Sequence, residues 1–459
     1  MPSNSRPRSA EPIARDVRQL PTRPSLEYER KHAKALLTQI RAGDPGAVRR
    51  LYLFHPAALR HDKAAELKLA DAQHVIAREY GFSSWPRLVE YFEELHRHRN
   101  APQTGVPGGG TEGFERSAKF LTRQHATGDP VVARMLSHFV PRYFRRSTAE
   151  ILATPLTDDD GRLLVARGHR YATWEEAVER VSADDEWMKL SAEERESPSQ
   201  LRVREAIRNS DVDAVAATLD EHPELIDRPV GDRAGRLNLA AVALFCEQTE
   251  KTEAARKVTE LLAERGVDVQ RELNEMLLLA PIRVGSLKPD DWRWLLDRGA
   301  DPNWLPPSGI TVLEHAIAKC HSGECVDVIA ERVPPPRRAL WIAAGLGNVG
   351  GVRSFIAAKG RLTQEGRQNR PDRMAMGERG GMPPNLEAGD SEIMWEAFRI
   401  AAYNGRWATM DVLLDAGAPI DFAPMGVPLI EDAVHRRMVP LVEYLVRRGA
   451  DVPRRWGNQ

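Results

Sequence analysis

The chain repeats itself internally, and this repetition constrains its fold more than any other feature of the sequence. The segment AKALLTQIRAGDPGAVRRLYLFHP, which begins at Ala33, aligns with AKFLTRQHATGDPVVARMLSHFVP, which begins at Ala118. Further along, DAQHVIAREYGFSSW from Asp71 aligns with DGRLLVARGHRYATW from Asp160. The repeated unit is about 85 to 90 residues long, with a small length change in its middle. The N-terminal part is therefore predicted to hold two copies of one module.

Each copy is predicted to contain four helices. Two short helices flank a GDP turn, because glycine and proline end the first of them, and a third helix carries VIAR or LLVAR. Ser84 and Thr173 occupy N-cap positions directly before Trp85 and Trp174, which open the fourth helix of each copy. A large ring just inside a helix start is typical of a packing contact, so both tryptophans are predicted to be structural.

A shorter period, about 33 residues, begins near Ser199 and continues to the C-terminus. In IAAYNGRWATMDVLLDAGAPID from Ile400, small residues and paired aliphatics recur at fixed intervals: Ala401, Ala402, Gly405, Met410, Leu413, Leu414, Gly417 and Ala418. The last repeat holds the same intervals at Ala433, Val442, Leu445, Val446, Gly449 and Ala450, and WRWLLDRGADPN from Trp292 supplies another ending. Small alanines let helices approach closely, paired aliphatics fill the seam between repeats, and the glycine ends the second helix in a left-handed cap.

These intervals resemble the ankyrin pattern AAxxGxxxxVxxLLxxGA, and the chain is similar to ankyrin repeat proteins over roughly its C-terminal 260 residues. The N-terminal module, with LPTRPSLEYERKHAKALL and VIAREYGFSSWPRL, looks like one that precedes ankyrin arrays in bacterial proteins. The resemblance implies an all-α fold, an ankyrin-type solenoid of about seven helix pairs preceded by the duplicated unit. It also implies a concave wall of first helices and turn fingers along one edge. Glu314 and Glu431 replace the histidine of the family's TPLH motif.

Composition along the chain predicts the domain boundaries. The organisation is a disordered leader 1–25, module copy 1 at 26–99, a Gly/Pro/Thr linker 100–112, module copy 2 at 113–196 and the solenoid 197–459. An insertion at 361–391 interrupts the solenoid and is longer than the roughly 12 to 15 residues beyond which loops are usually functional or disordered. Both interpretations of this insertion remain open.

The composition excludes several classes of protein. Hydrophobic residues make up 42% of the chain and charged residues 29%, so the chain is predicted to fold. A net charge of -1 argues against a nucleic-acid partner. No stretch has the apolar length of a signal peptide core or a membrane span. Three cysteines without a disulfide spacing indicate a reducing compartment, and we expect a cytoplasmic protein.

No motif indicates a metal, a cofactor or a catalytic centre. Four side chains of ligand type lie close together in sequence, namely His315, Cys320, His321 and Cys325. Cys320 faces away from His315 on a helix, and no CxxC pair is present, so we predict packing rather than zinc binding and expect no metal or cofactor. A GxSxG elbow, a P-loop and a GxGxxG motif are all absent from the sequence.

The best-supported function from sequence is binding of a protein partner through the concave face and the turn fingers. Apolar residues lie at the predicted finger tips, with Trp304 and Leu305 in PNWLPPSG and Phe422 and Met425 in DFAPMG. They would either anchor a partner or pack on neighbouring fingers. Within the insertion, Arg370 and Arg373 flank methionines and suit a contact loop. The alternative is an enzyme whose scattered polar residues meet in the cleft between the modules and the solenoid.

Overall fold

The computed structural model describes residues 18, 20–21, 24–55, 67–99, 110–190, 196–228, 230, 238–280, 288–306, 308–373, 376, 384–423 and 427–452. The protein is all-α, as predicted. In these ranges there is no strand, and an isolated bridge joins Ile356 and Leu362. None of the helices in these ranges combines the length and the apolar character needed to cross a bilayer.

The chain divides into two compact units. Unit 1 comprises Met1–Asn100 and Val106–Asp185, and unit 2 comprises Ala101–Gly105 and Glu186–Gln459. Unit 1 thus contains module copy 1 and most of copy 2, whose predicted end, 186–196, falls in unit 2 together with the whole predicted solenoid 197–459.

Unit 1 is built from nine helices in its described part. They are α1 Leu26–Arg41, α2 Pro45–Phe54, α3 Leu69–Glu79, α4 Trp85–Arg99, α5 Gly110–Ala126, α6 Pro130–Phe139, α7 Thr148–Leu152, α8 Asp158–Gly168 and α9 Trp174–Lys189. The four helices predicted for each copy are present, and in copy 2 the short helix α7 lies where the alignment requires a length change; the matching residues of copy 1, 56–66, lie outside the described ranges. Helix α5 begins at Gly110, inside the segment that composition predicts as linker.

The GDP turns of the two copies have the same local structure. Gly43 and Gly128 adopt φ values of +75° and +84°. The next residue caps the following helix, since Asp44 accepts a hydrogen bond from the backbone N–H of Ala47 and Asp129 accepts one from that of Val131, both at 2.8 Å. Glycine reverses the chain, aspartate satisfies an orphan N–H, and proline starts the next helix, so three residues are enough for the turn.

The two copies share buried contacts inside unit 1. Tyr91 of α4 donates a hydrogen bond to the carbonyl of Phe139 in copy 2 (2.7 Å), and its ring meets that of Phe144 edge-on at 4.9 Å. Trp85 and Trp174 lie half-buried against the hydrophobic cores of their own copies. Leu20, from the predicted leader 1–25, is only 7% exposed and packs in the core of copy 1. Burial of this apolar side chain is favourable enough to offset the conformational entropy lost when the segment is ordered.

Unit 2 continues with consecutive helix pairs. Its helices are α10 Pro198–Arg208, α11 Val212–Glu221, α12 Leu239–Glu250, α13 Glu253–Glu264, α14 Val269–Leu279, α15 Pro289–Asp297, α16 Val312–Lys319, α17 Gly323–Ala330, α18 Leu340–Gly345, α19 Val349–Ser354, α20 Asp390–Tyr403, α21 Trp407–Asp415, α22 Leu429–His435 and α23 Val439–Arg447. In each pair the two helices contact each other.

First helices also contact the first helices of the neighbouring pairs, in the order α10, α12, α14, α16, α18 and α20. The last pairs are linked by hydrogen bonds from Tyr403 to Asp432 and from Tyr444 to Asp411 (2.6 Å). One hydrophobic core therefore runs continuously through the unit, from Val203 to Ala450.

The glycines predicted to end second helices do so in the left-handed conformation. Gly299, Gly417 and Gly449 have φ values of +110°, +101° and +87°. An L-residue with a Cβ is strained there, so glycine is the residue that this turn requires. The prediction made from their sequence intervals is confirmed.

Candidate partner-binding surface

The predicted finger residues lie in loops that follow second helices. We call four of these segments the tip loops: 298–311, 355–389, 416–428 and 448–452. In the first of them Trp304 is half-buried and packs against the core of unit 2, whereas Leu305 is 60% exposed. The two neighbours in sequence therefore have different surroundings, and only Leu305 offers most of its surface to a partner.

Phe422 also packs on its own chain. Its ring meets the ring of Trp395 in α20 edge-on, with 5.5 Å between centroids, and the side chain is half-buried. Met425 lies outside the described residues. Trp304 and Phe422 therefore pack within the molecule, whereas Leu305 is exposed to solvent.

The tip loops carry further exposed aliphatic side chains that sequence reasoning missed. The exposed fractions are 56% for Leu386, 50% for Val427 and 44% for Val452. Leu305, Val427 and Val452 each precede a proline, which favours an extended backbone at that position. This signal does not predict exposure by itself, since Val140 and Val333 also precede prolines and are buried.

Hydrogen bonds brace some of these loops. Asp301 N–H donates to Asn274 Oδ1 (2.7 Å), and Gln270 donates to the carbonyl of Gly299 (2.7 Å). At the C-terminal end of the unit, Asp451 N–H donates to Asp421 Oδ1 (2.9 Å). These bonds hold the backbone near the aliphatic side chains, which lowers the entropy that a partner would have to overcome on binding.

The two arginines predicted as contact residues lie against the protein itself. Arg370 makes a two-pronged ion pair with Glu396 of α20, with N–O distances of 2.9 and 2.5 Å, and its side chain is 9% exposed. Burial raises the pKa of Glu396, and the charges of Arg370 and Arg373 act in the opposite direction. Arg373 is half-buried at the end of the described stretch. Arg370 thus has an internal partner, and partner binding by either arginine remains a prediction.

The described parts of the insertion 361–391 pack on unit 2. Trp341 of α18 donates its indole N–H to the carbonyl of Asn369 (2.7 Å). Asp390 accepts from Arg367 at 2.6 and 2.8 Å and from the N–H of Leu362 at 3.0 Å. Met376 is 1% exposed and belongs to the core. These residues are ordered by contacts with their own unit.

A polar and aromatic cluster joins the ends of α16, α20 and α22. The ring of His321 lies 4.4 Å from that of Tyr403, and Arg436 contacts His321 (3.3 Å) and Asp432 (2.9 Å). Burial alone would raise the pKa of Asp432, but the hydrogen bonds from Tyr403 and Arg436 hold it below its usual value. The charged groups of this cluster therefore interact with one another inside unit 2.

The four residues weighed as zinc ligands do not form a ligand set. His321 stacks on Tyr403, and Cys320 hydrogen-bonds to Cys325, which lowers the pKa of the Cys325 thiol. His315 is fully buried in α16. Within the described ranges, no group of three or more His, Cys, Asp and Glu side chains has the arrangement of a metal site.

No protein-family model matches the chain, and no curated protein matches its sequence.

Proposed function

We propose that unit 2 is an ankyrin-type helical solenoid and that the protein works by holding a protein partner on its tip loops. Consecutive helix pairs, contacts between neighbouring first helices and left-handed glycines after second helices support the solenoid. Such a scaffold presents a long surface whose loops vary without disturbing the core.

One observation carries the proposal: the same type of exposed side chain recurs in loops that follow second helices. Leu305, Leu386, Val427 and Val452 are each between 44% and 60% exposed. A single exposed aliphatic residue needs no explanation. Recurrence in four loops that follow second helices, three of them with hydrogen-bonded backbone, is typical of an interaction surface, where aliphatic anchors lose water on binding.

The charges beside these anchors indicate the chemistry of the partner. Asp301, Asp421 and Asp451 are exposed in the same tip loops. A surface that combines aliphatic anchors with carboxylates fits a partner with an apolar patch surrounded by lysines or arginines.

The proposal is tested by comparing what matched variants capture from an extract of the cells that make the protein. The test variant combines Leu305→Ser, Val427→Ser and Val452→Ser. The control is Val446→Ser, which removes an aliphatic side chain of similar exposure (48%) from the second helix α23. We expect a protein captured in stoichiometric amount by the wild type and the control, and at least about tenfold less of it by the test variant, because interface anchors contribute 1 kcal/mol or more each.

The captured protein is then purified and titrated against each variant. Exposed substitutions change stability by roughly 0.5 kcal/mol or less, so circular dichroism should show intact helices in all of them. Equal affinity of the wild type and the triple variant would remove the tip loops from the interface and refute the proposal.

A further inference from the structure

Unit 1 contains a cavity of about 600 Å³. Its wall comes from Arg18 and Leu20, from the connection between α6 and α8, from α8 itself and from the start of α9. A cavity of roughly 300 to 1,000 Å³ is the size that small-molecule sites have. Nothing in the partner-binding proposal uses this cavity.

A buried arginine lies in its wall. Arg167 of α8 is 2% exposed, and its guanidinium lies 5.1 Å from the centroid of the Tyr91 ring. It donates to two carbonyls, from Nε to Ala172 (3.1 Å) and from Nη1 to Phe139 (3.0 Å). These bonds use two of the five N–H donors of the side chain. Among the described residues, Arg167 has no carboxylate partner.

This arrangement differs from the buried arginines of unit 2. Arg204 pairs with the buried Glu196 at 2.5 Å, and Arg370 pairs with Glu396. Pairing is the usual arrangement, since a buried charge without a countercharge is costly. Burial lowers the pKa of Arg167 to about 9, so the side chain still carries its charge at neutral pH.

The carboxylates in the wall do not supply the missing charge. Asp160 is already held by Arg142 and by Thr157, whose backbone N–H (2.8 Å) and hydroxyl (2.6 Å) both donate to it. The side chain of Asp159 is 86% exposed, and Glu175 is an exposed residue of α9. Among the described residues of the wall, therefore, none compensates the positive charge of Arg167.

The remaining wall is partly polar, with Arg18, Thr154 and Thr173, and partly apolar. Leu20 and Trp174 contribute to the apolar part, together with Val140, Pro141, Pro155 and Leu163. The guanidinium of Arg162 lies 5.8 Å from the Trp174 ring, and its ion pair with Glu115 (2.9 Å) fixes it there. An aromatic wall beside a buried cation suits a molecule with an acidic group at one end and an apolar body.

We propose that this cavity binds a small organic anion, whose carboxylate or phosphate group pairs with Arg167 and whose apolar body lies against Trp174 and Leu20. The planar guanidinium offers parallel N–H donors that match either oxyanion. The bound anion supplies a countercharge that the described residues around Arg167 do not provide.

The experiment measures binding of defined probes to the full-length protein by calorimetry at constant ionic strength. The probes are phenyl phosphate, benzoate and inorganic phosphate, with benzyl alcohol as the neutral control. We expect phenyl phosphate or benzoate to bind more tightly than inorganic phosphate, and benzyl alcohol not to bind. The stronger of the two aromatic probes identifies the acidic group. Absence of binding by both, at concentrations up to about 10 mM where weak ligands are still detected, would overturn the proposal.

Two variants locate the site. Arg167→Gln should weaken binding at least about tenfold, because a hydrogen bond to a charged group contributes more than 1.4 kcal/mol. Arg78→Gln is the matched control, since Arg78 occupies the equivalent position in copy 1 and does not line the cavity. It should bind as the wild type does. Equal loss in both variants, or in neither, would contradict the assignment.

Hydrogen exchange of the wild type keeps the test decisive if Arg167→Gln does not fold. The better aromatic probe should slow exchange in residues 154–175, which form most of the wall. Protection confined to other parts of the chain would overturn the proposed site.

Discussion

Single glycines set how closely the helices of unit 2 approach each other. A Cβ atom placed on Gly345 of α18 would lie 2.4 Å from Ile317 Cγ2 and 3.0 Å from Ile400 Cγ2. The first of these distances is shorter than real Cβ contacts, so this glycine is what allows α18 to lie between α16 and α20. Gly350 in α19 is different, because its nearest atom would be Asn348 Oδ1 at 3.7 Å.

We therefore expect opposite outcomes for two alanine substitutions. Gly345→Ala should lower the free energy of unfolding by about 1 to 3 kcal/mol, since the methyl group overpacks the seam. Gly350→Ala should leave it unchanged or raise it by up to about 1 kcal/mol, because alanine is the better helix former. Urea unfolding followed by circular dichroism measures both. If Gly345→Ala were as stable as Gly350→Ala, the contact between α16, α18 and α20 would accommodate a methyl group without strain, contrary to this prediction.

At the scale of elements, the described part of the insertion depends on one carboxylate. Asp390, the first residue of α20, joins that helix to Arg367 and to the N–H of Leu362. The hydrogen bond from Arg367 lowers the pKa of Asp390. A lowered pKa means that the native state favours the charged form, so the link is fully present above the ordinary aspartate pKa of about 3.9 and is lost as the pH falls through the lowered value.

Asp390→Asn should reproduce the effect of acid at neutral pH. We expect faster hydrogen exchange in residues 362–369 of this variant at pH 7, with little change elsewhere, because the asparagine cannot pair with the Arg367 charge. The control is Asp297→Asn, which alters a carboxylate that is 74% exposed on α15. In the wild type the same residues should exchange alike, after correction for intrinsic rates, from pH 8 to 5 and loosen only in stronger acid. Unchanged protection in Asp390→Asn would assign the ordering of this segment to Trp341 and Met376 instead.

At the scale of the whole molecule, each unit has a hydrophobic core of its own. Leu36 is fully buried in the core of copy 1, and Leu413 is fully buried in the core of unit 2. Separate cores allow separate unfolding, because a cavity weakens the cooperative unit that contains it.

Leu36→Ala should destabilise unit 1 by about 2 to 5 kcal/mol, and Leu413→Ala should do so for unit 2. Hydrogen exchange read separately in α1–α9 and α10–α23 measures each effect. We expect the core amides of the unaltered unit to keep their protection in both variants. Equal loss of protection in the two units after either substitution would mean that they unfold as one.

Local features of the fold could be predicted from the sequence because short-range chemistry decides them. Gly43, Asp44 and Pro45 make a turn from their own backbone preferences, and Gly417 ends a helix for the same reason. Their effects act within a few residues, so spacing in the chain is enough to predict them. The exposure of a tip residue is different, since Trp304 and Phe422 turn inward onto unit 2 while Leu305 remains in solvent.

The amino-acid pattern was enough to predict an all-α chain, the duplication of the N-terminal module and the helix-ending glycines of unit 2. Which side chains pair inside the protein, and where a cavity forms, depends on how the helices pack. The sequence suggests Arg370 as a contact residue, but in the structure it forms an ion pair with Glu396. The cavity around Arg167 needs Leu20, Pro141, Pro155 and Trp174 to meet. Leu20 is far from the other three in the chain. Their meeting depends on how complete helices pack, which the residue types and spacings do not show.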